Sequence, residues 1–238
     1  MIKLLLGLLL LTSCGLETTQ SYTSQIIGKD ERKQIKNTKQ VPYQQMGLLI
    51  IKLGGKSFLC TGTLISPRHV ITAAHCLIND GVKATKVTFI PGRNGSLEPF
   101  GSYDSDSIFI AKEFEKGRNI YYDYAIVRLK GSPGEEVGYM TLGTFPTDRL
   151  PKVNMAGYPG DKPSKTLWRA YCATKKDYGR IFSHDCDTYG GMSGSAIYVY
   201  DKPNRTIVGI HSGSYGSVNR GLTITREVYD VITDWMVR

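Results

Sequence analysis

Short apolar runs separated by turn sequences extend along most of the chain from residue 41 onward. Glycine and proline punctuate these runs, for example in Pro91–Gly95 and Tyr158–Asp161. Many short strands with turns between them are typical of an all-β barrel or sandwich. The predicted strands are Gly47–Leu53, Ser57–Ile65, Val70–Ala74, Val87–Ile90, Ala125–Leu129, Val153–Ala156, Ala196–Tyr200, Ile207–His211 and Leu222–Thr225.

The last part of the chain has a different period. Val228, Ile232 and Trp235 recur at helical spacing, which predicts a C-terminal α-helix. We therefore expect one all-β domain over residues 26–238 that ends in this helix.

The first residues resemble a bacterial export signal. A lysine at position 3 precedes the apolar run Leu4–Leu11, which at about eight residues is too short to span a bilayer and is typical of a signal peptide. Leu11–Cys14 resembles the lipobox of bacterial lipoproteins, in which the cysteine becomes the lipid-bearing N-terminal residue. We expect a signal peptide at residues 1–14 with lipidation at Cys14. Ordinary cleavage that leaves Cys14 without a role is the alternative.

The chain is accordingly expected to be exported. It either remains at the outer face of a bacterial membrane as a lipoprotein, or it is secreted after processing. Residues 15–40 are polar, which predicts a short mobile segment, and we expect residues 15–25 to be a linker or propeptide.

The composition fits a folded protein and argues against nucleic-acid binding. The chain has 238 residues, of which 41% are hydrophobic, enough for the core of one domain or of two packed halves. The formal net charge is +9, but apart from Lys29–Lys39 the basic residues are scattered. Because no basic stripe interleaved with aromatic residues is found, we expect no nucleic-acid partner.

Four cysteines remain after Cys14, an even number that suits an oxidising compartment. They are Cys60, Cys76, Cys172 and Cys186. They allow three pairings, of which the local one closes two short loops and would contribute about 3 kcal/mol per bridge in the loop-entropy model. Neither the cysteines nor the four histidines have zinc-ligand spacing, and we expect neither a metal nor a cofactor.

A histidine and an aspartate each lie next to an apolar strand. His75 follows Val70–Ala74, where small alanines leave space around the imidazole ring; a general base needs such fixed placement and a pKa near neutrality. Asp123 stands among tyrosines before Ala125–Leu129 and would be costly to bury without a partner such as an imidazole N–H. Taken singly, His75 also fits a core or surface histidine, and Asp123 also fits a turn residue.

A glycine-rich turn carries the candidate nucleophile. Ser193 lies in Gly190–Gly194, directly before the apolar strand Ala196–Tyr200. Glycines allow a sharp turn in which backbone N–H groups converge on an anion beside an exposed hydroxyl. A single G-x-S-G is most often structural, but the chain order histidine, aspartate, serine is that of the chymotrypsin-like catalytic triad.

Several stretches of the chain, in the matching order, resemble known serine proteases. Thr72–Cys76, Asp123–Ile126 and Gly191–Gly194 are similar to the signatures of chymotrypsin-fold serine proteases. Other stretches resemble the bacterial glutamyl endopeptidase branch of that family, and these are Ile27–Arg32, Pro91–Gly95, Gly157–Lys162, Asp187–Gly191 and Asn219–Thr225.

The resemblance implies two six-stranded antiparallel β-barrels with the active site in the cleft between them. His75 would take the proton from Ser193 and later give it to the leaving amine, while Asp123 would hold the imidazole tautomer. The backbone N–H groups of Gly191 and Ser193 would form the oxyanion hole.

The same resemblance implies a disulfide between Cys60 and Cys76, beside the catalytic histidine. It implies protein or peptide substrates and hydrolysis through an acyl-enzyme intermediate. We expect the enzyme to be a monomer.

The resemblance also implies a specificity. In glutamyl endopeptidases a histidine on a later strand contacts the substrate carboxylate, and a threonine five residues before the nucleophile assists it. The matching positions are His211 and Thr188, and we expect both of them, together with Ser212 beside His211, to bind the substrate. Because an imidazolium and a hydroxyl both donate hydrogen bonds to a carboxylate, we expect cleavage after acidic residues, with glutamate preferred.

Asp187 indicates a different specificity. It lies six positions before Ser193, where trypsin-like enzymes carry the acid that binds arginine or lysine. Because the stretch Asp187–Gly191 also occurs in glutamyl endopeptidases, we expect the Asp187 carboxylate to point away from the pocket. Trypsin-like cleavage after arginine or lysine is the alternative. A non-enzymatic binding module on the same fold is another, although the presence of all three triad residues disfavours it.

Met192 bears on activation. It replaces the aspartate that pairs with the new N-terminal amine in trypsin-like enzymes, so that switch is absent. We expect either that a zymogen is cut near Gln25 or Ile26, or that the segment before them tethers an active domain to the lipid.

Overall fold

The structure, a computed structural model, describes residues 25–146 and 148–238. The predicted signal peptide, the predicted lipidation site Cys14 and the predicted linker up to residue 24 lie outside the described residues. Within the described part of the chain, no helix is long and apolar enough to cross a membrane.

Six of the nine strands in the first half of the described chain build a closed barrel. The nine strands are β1 (Lys33–Gln34), β2 (Met46–Leu53), β3 (Lys56–Leu64), β4 (His69–Thr72), β5 (Ile78–Asn79), β6 (Val82–Lys83), β7 (Lys86–Pro91), β8 (Tyr103–Ile110) and β9 (Ala125–Leu129). Strands β2, β3, β4, β9, β8 and β7 pair in that order and close on themselves, while β5 and β6 form a separate hairpin.

The strands of the second half build another barrel. They are β10 (Thr141–Leu142), β11 (Lys152–Gly157), β12 (Trp168–Asp177), β13 (Ile181–His184), β14 (Ala196–Asp201), β15 (Asn204–Tyr215) and β16 (Val218–Thr223). The ring runs β12, β11, β14, β15, β16, β13 and returns to β12, with β1 added at β12 and the short β10 added in parallel to β15. The predicted fold of two six-stranded antiparallel barrels is confirmed.

The apolar runs of the sequence fill both barrels. In the first barrel Leu48 and Ile126 have no exposed surface, and in the second the Phe182 ring lies in the core with Ile197 and Val208. A Cβ on Gly209 would lie 2.6 Å from the Phe182 ring, so this glycine leaves the space that the ring needs.

Helices occupy the ends and connections. They are α1 (Lys112–Gly117), α2 (Gly134–Val137) and α3 (Arg226–Val237), with 3₁₀ turns at Tyr43–Gln45, Ala74–Cys76 and Ile120–Tyr122. Helix α3 confirms the C-terminal helix: the Thr225 hydroxyl caps its first turn by accepting from the Val228 N–H. Trp235 stacks on Tyr124 at 5.6 Å between ring centroids, which attaches the helix to the first barrel.

Residues 25–40, here called the arm, are bound to the barrels, whereas the sequence predicts a mobile segment. The Arg32 side chain has no exposed surface and forms salt bridges with Asp30 at 2.9 Å and Asp161 at 2.5 Å. The Thr38 hydroxyl donates a hydrogen bond of 2.6 Å to the backbone just after β7. A buried guanidinium is costly unless carboxylates pair with it, so the polar composition of the arm reflects a specific ion cluster.

Candidate active site

The predicted catalytic histidine and aspartate are hydrogen-bonded to each other in the first barrel. His75 lies in the 3₁₀ turn after β4, and a disulfide between Cys60 and Cys76 ties this turn to β3. The Nδ1 atom of His75 is 2.7 Å from Oδ2 of Asp123, and the backbone N–H of His75 donates to Oδ1 at 2.9 Å. Because Nδ1 faces the carboxylate, Nε2 is the ring nitrogen that can exchange a proton with a reacting group.

Asp123 is fully buried and accepts a third hydrogen bond, from the hydroxyl of Ser212 at 2.5 Å. Ser212 belongs to β15, so this contact joins the two barrels. Burial alone would raise the pKa of Asp123, but the charge of His75 and the hydrogen bonds from His75 and Ser212 hold the pKa below its ordinary value. Ser212 is predicted to bind the substrate, and in the structure its hydroxyl is bonded to the aspartate.

Ser193 lies in a tight turn that packs against the first barrel. Gly194 has a φ of +81°, and a Cβ there would lie 2.1 Å from the Thr72 hydroxyl oxygen. The carbonyl of Ser193 accepts a hydrogen bond of 2.9 Å from the Thr61 N–H. Since Thr72 ends the strand that leads to His75, glycine at position 194 lets the serine turn reach the histidine side of the cleft.

The two predicted oxyanion-hole groups lie in the same turn. Gly191 has a φ of +98°, and a Cβ there would lie 2.3 Å from the Tyr158 carbonyl oxygen. Within residues 25–146 and 148–238, the N–H groups of Gly191 and Ser193 donate to no backbone carbonyl, whereas the Met192 N–H between them bonds to the Tyr189 carbonyl at 3.0 Å. Two N–H groups left available beside a serine are suited to hold a developing oxyanion.

The predicted substrate-binding residues Thr188 and His211 adjoin this turn and are buried. The His211 N–H donates to the Ser195 carbonyl, and the His211 carbonyl accepts from the Gly194 N–H, both at 2.9 Å. Neither Thr188 nor His211 has exposed surface, so both side chains lie in the interior of the second barrel. Among the described residues, no group hydrogen-bonds to the Thr188 hydroxyl.

A second histidine, His184, lies against His211. The Nδ1 atom of His211 is 3.4 Å from Nε2 of His184, with the rings edge to face. Burial lowers the pKa of His184 to about 4, and burial together with His184 and His75 holds the pKa of His211 well below its ordinary value. Both rings are therefore neutral at pH 7. No sequence signal relates the two, because 27 residues separate them and only the strand order β13, β16, β15 brings them together.

Asp187 is held by the arm. Its Oδ1 accepts from the Ile27 N–H and its Oδ2 from the Glu31 N–H, both at 2.8 Å. Both carboxylate oxygens are thus used by backbone groups of the N-terminal segment, and the side chain is buried.

The arm also reaches the wall of the pocket through Gln25. The carbonyl of Gln25 accepts from the Thr188 N–H at 3.1 Å and from the Asn219 side chain at 2.8 Å. Asn219 donates to the Cys186 carbonyl as well. Asn219 begins one of the stretches that resemble glutamyl endopeptidases, but its partners Gln25 and Cys186 are distant in the chain, and no role for it is predicted from the sequence.

The second disulfide joins Cys172 to Cys186, so that the local pairing is present at both sites. Within the described residues, one group of histidine, cysteine and acidic side chains is close enough to hold a metal ion, namely Cys172, His184 and Cys186. In the disulfide these two sulfurs are not the thiolates that bind metals.

Comparison with known proteins gives a family for this arrangement. The family model described as trypsin-like peptidase domain matches residues 60–210. The chain is 36% identical over 222 residues to a glutamyl endopeptidase of Bacillus licheniformis, and this alignment covers 88% of this chain and 68% of that protein. It is 34% identical over 220 residues to a protein of Bacillus subtilis named extracellular metalloprotease, and this alignment covers 89% of this chain and 70% of that protein.

A solved structure has the same fold. A Glu endopeptidase in complex with MPD superposes with a TM-score of 0.82 at 28% sequence identity, covering 90% of this chain and 100% of the other.

Proposed function

The chain belongs to the trypsin-like peptidase family as a serine endopeptidase of the glutamyl endopeptidase branch, and from this premise we propose that it cleaves after acidic residues, with glutamate preferred, using Ser193, His75 and Asp123. The protease domain proposed for this reaction spans residues 26–238. The observation that carries the proposal is the hydrogen bond between half-buried His75 and buried Asp123, next to the turn that bears Ser193.

The proposed reaction has two halves. In the first, Ser193 Oγ attacks the carbonyl carbon of the scissile bond while His75 Nε2 takes the hydroxyl proton, and this proton then passes to the leaving amine as the C–N bond breaks. In the second, water attacks the acyl-enzyme, His75 takes a proton from that water, and Ser193 recovers a proton as the acid product leaves.

Asp123 and the turn around Ser193 supply the electrostatics of both halves. The ionised Asp123 keeps the Nδ1 proton of His75 in place and stabilises the imidazolium that forms. The N–H groups of Gly191 and Ser193 hold the negative oxygen of each tetrahedral intermediate, a contribution of about 3 kcal/mol or more per donor.

Recognition of the acidic side chain is proposed to rest on Thr188 and His211. The Thr188 hydroxyl is buried and has no hydrogen-bond partner among the described residues, and such a group favours a ligand that supplies an acceptor. The Bacillus licheniformis relative bears the name glutamyl endopeptidase, which agrees with an acidic substrate.

The position of Asp187 argues against cleavage after arginine or lysine. Both of its oxygens accept hydrogen bonds from the arm backbone, so turning the carboxylate away from the arm and toward a cationic substrate side chain would break these bonds. Breaking them would leave two backbone N–H groups without partners, at a cost of about 1–3 kcal/mol each.

We further propose that the protein is exported and carries lipid on Cys14, or is released when it is cut near Gln25 or Ile26. The extracellular relative from Bacillus subtilis supports export. Metabolic labelling with a fatty acid, compared between the natural chain and Cys14→Ala, tests the lipid, and N-terminal sequencing of the mature protein finds the cut.

The specificity proposal is tested with peptides that differ only at the residue before the scissile bond. We expect the largest kcat/KM for glutamate, a smaller value for aspartate and the smallest for arginine and lysine. Ser193→Ala serves as the control and should abolish both cleavage and labelling by a serine-reactive phosphonate. Faster cleavage after arginine than after glutamate would overturn the proposal.

A further inference from the structure

The hydroxyl of Thr61 links the first barrel to the turn that carries Ser193. Thr61 lies on β3 directly after Cys60 and has no exposed surface. Its Oγ1 donates a hydrogen bond of 2.9 Å to the Gly191 carbonyl and accepts one of 3.1 Å from the Tyr158 N–H. The hydroxyl therefore uses its single proton, and one of its lone pairs, on backbone groups from the second half of the chain.

The sequence leaves space for this contact at Gly157. A Cβ at Gly157 would lie 2.8 Å from Oγ1 of Thr61 and 2.3 Å from the hydroxyl oxygen of Ser195. Because glycine has no side chain, the end of β11 can approach β3 closely. The N–H of the next residue, Tyr158, then reaches the Thr61 hydroxyl.

The peptide between Gly190 and Gly191 carries one of the two candidate oxyanion-hole donors, the Gly191 N–H. A trans peptide is planar, so its C=O and N–H point in opposite directions. The Gly160 N–H donates a hydrogen bond of 2.8 Å to the Gly190 carbonyl, which directs the Gly191 N–H away from Gly160. Neither Gly190 nor Gly191 has a Cβ that would oppose rotation of this peptide, so its orientation depends on hydrogen bonds.

The next peptide, between Gly191 and Met192, is held at both of its polar groups. Its C=O accepts from the Thr61 hydroxyl, and its N–H donates to the Tyr189 carbonyl at 3.0 Å. With a bonded peptide on each side of its Cα, Gly191 is fixed at a φ of +98°. Without the Thr61 hydroxyl, this glycine would regain rotational freedom on one side.

The backbone of Thr61 also holds the residue that carries the other donor. Its N–H donates a hydrogen bond of 2.9 Å to the Ser193 carbonyl. One residue of β3 is therefore bonded to the carbonyls of both Gly191 and Ser193, whose N–H groups have to converge on the same oxygen. The preceding residue, Cys60, is tied by its disulfide to the 3₁₀ turn of His75, so neighbouring positions of β3 hold both turns of the site.

We propose that Thr61 is a positioning residue for the oxyanion hole, whose hydroxyl fixes Gly191 so that the N–H groups of Gly191 and Ser193 point at one oxygen. This inference rests on the proposed function, because it concerns the turn that bears the proposed nucleophile. Thr61 has no exposed surface, so it acts on the substrate only through this turn.

The test compares Thr61→Val and Thr61→Ser with the natural enzyme on a glutamate peptide. Valine replaces the hydroxyl with a methyl group of similar size and leaves the Gly191 carbonyl and the Tyr158 N–H without this partner, whereas serine keeps the hydroxyl. We expect Thr61→Val to lower kcat by about 10- to 100-fold with little change in KM, because an oxyanion hole stabilises the transition state more than the bound substrate. Thr61→Ser should retain most of the natural kcat. The values are expressed per active site, counted by labelling with a serine-reactive phosphonate.

A peptide aldehyde that ends in glutamate gives a second readout. Ser193 Oγ adds to the aldehyde carbon, and the oxygen of the resulting hemiacetal occupies the proposed oxyanion hole. The inhibition constant of this aldehyde should rise in Thr61→Val by about the same factor as kcat falls. A loss of folded protein, by contrast, would leave the inhibition constant of the remaining active sites unchanged.

Thr63→Val provides a matched control. Thr63 lies two positions further along β3 and is also fully buried, but its hydroxyl has no hydrogen-bond partner within the described part of the chain. The same substitution should therefore leave kcat and the inhibition constant close to their natural values. If Thr61→Val does not fold, Thr61→Ala replaces it with the same expected losses, because alanine removes the hydroxyl without placing a methyl group against the two backbone groups.

The outcomes separate the two proposals. If Ser193→Ala still cleaves the glutamate peptide, the proposed function is wrong. If cleavage depends on Ser193, and Thr61→Val keeps both the natural kcat and the natural affinity for the aldehyde, the role of Thr61 is wrong while the proposed function stands. Equal losses in Thr61→Val and Thr63→Val would also overturn that role, because only the first substitution removes hydrogen bonds to the turn.

Discussion

Two buried aspartates, Asp123 and Asp187, differ in what their carboxylates bind. Asp123 accepts from His75 and from the hydroxyl of Ser212, side chains that come from the two barrels. Asp187 accepts from two backbone N–H groups of the arm. A backbone amide does not titrate near neutral pH and so cannot serve as an acid or a base there, whereas an imidazole can. The same residue type therefore anchors a segment of chain at one position, and at the other we propose that it supports acid–base chemistry.

Replacing the carboxylate of Asp123 by an amide should have the largest effect on activity. In Asp123→Asn, the amide donates to Nδ1 of His75 and imposes the wrong tautomer, so kcat should fall on the order of 10⁴-fold with little change in KM. Steady-state kinetics on a glutamate peptide measure this loss. A loss of less than about tenfold would mean that His75 does not depend on Asp123.

Removing Asp187 should act on stability. Asp187→Ala leaves the Ile27 and Glu31 N–H groups without acceptors, which should lower the free energy of unfolding by about 4 kcal/mol, given about 1–3 kcal/mol for each group. Urea denaturation measures the change. The surviving folded enzyme should still cleave after glutamate rather than arginine, and if the variant instead loses all discrimination between the two, Asp187 has a direct part in recognition.

Acid should weaken the fold through His184. Its pKa is about 4 in the folded protein and about 6.5 in an unfolded chain. Between these two pH values the unfolded state binds a proton on His184 and the folded state does not. The free energy of unfolding therefore has its full value above pH 6.5 and declines by about 3 kcal/mol as the pH falls to 4. Urea midpoints across this range should show a smaller decline in His184→Phe, and an identical decline would place the titration elsewhere.

The smallest of the four effects concerns recognition. His211→Ala removes a charge-assisted hydrogen bond and should lower kcat/KM for a glutamate peptide by about 100-fold, with only a few-fold loss for a matched neutral peptide. Equal losses on the two peptides would remove His211 from the recognition of acidic side chains.

The parts of the site that depend on neighbouring residues in the chain can be predicted from the sequence. The glycines around Ser193 and the small residues before His75 fix local geometry within a few positions, and the spacing of apolar runs is sufficient to predict β-barrels. The C-terminal helix follows from the period of Val228, Ile232 and Trp235.

The orientation of Asp187 and the role of the arm depend on contacts that no local pattern encodes. The hydrogen bond from the Ile27 N–H to Asp187 spans 160 residues of sequence. The arm is polar because Arg32 is buried with two aspartates, and polarity by itself predicts a mobile segment. The contact between His184 and His211 is likewise not predictable from the sequence, because it depends on the strand order β13, β16, β15.

The proposed roles of Ser193, His211 and Thr188 can all be tested in one crystal structure, that of the enzyme with a peptidyl phosphonate that ends in glutamate. We expect the phosphorus bonded to Ser193 Oγ, one phosphonyl oxygen at the N–H groups of Gly191 and Ser193, and the glutamate carboxylate within hydrogen-bond distance of His211 Nε2 and the Thr188 hydroxyl. Asp187 should keep its bonds to Ile27 and Glu31. A carboxylate directed into solvent, away from His211 and Thr188, would contradict this account.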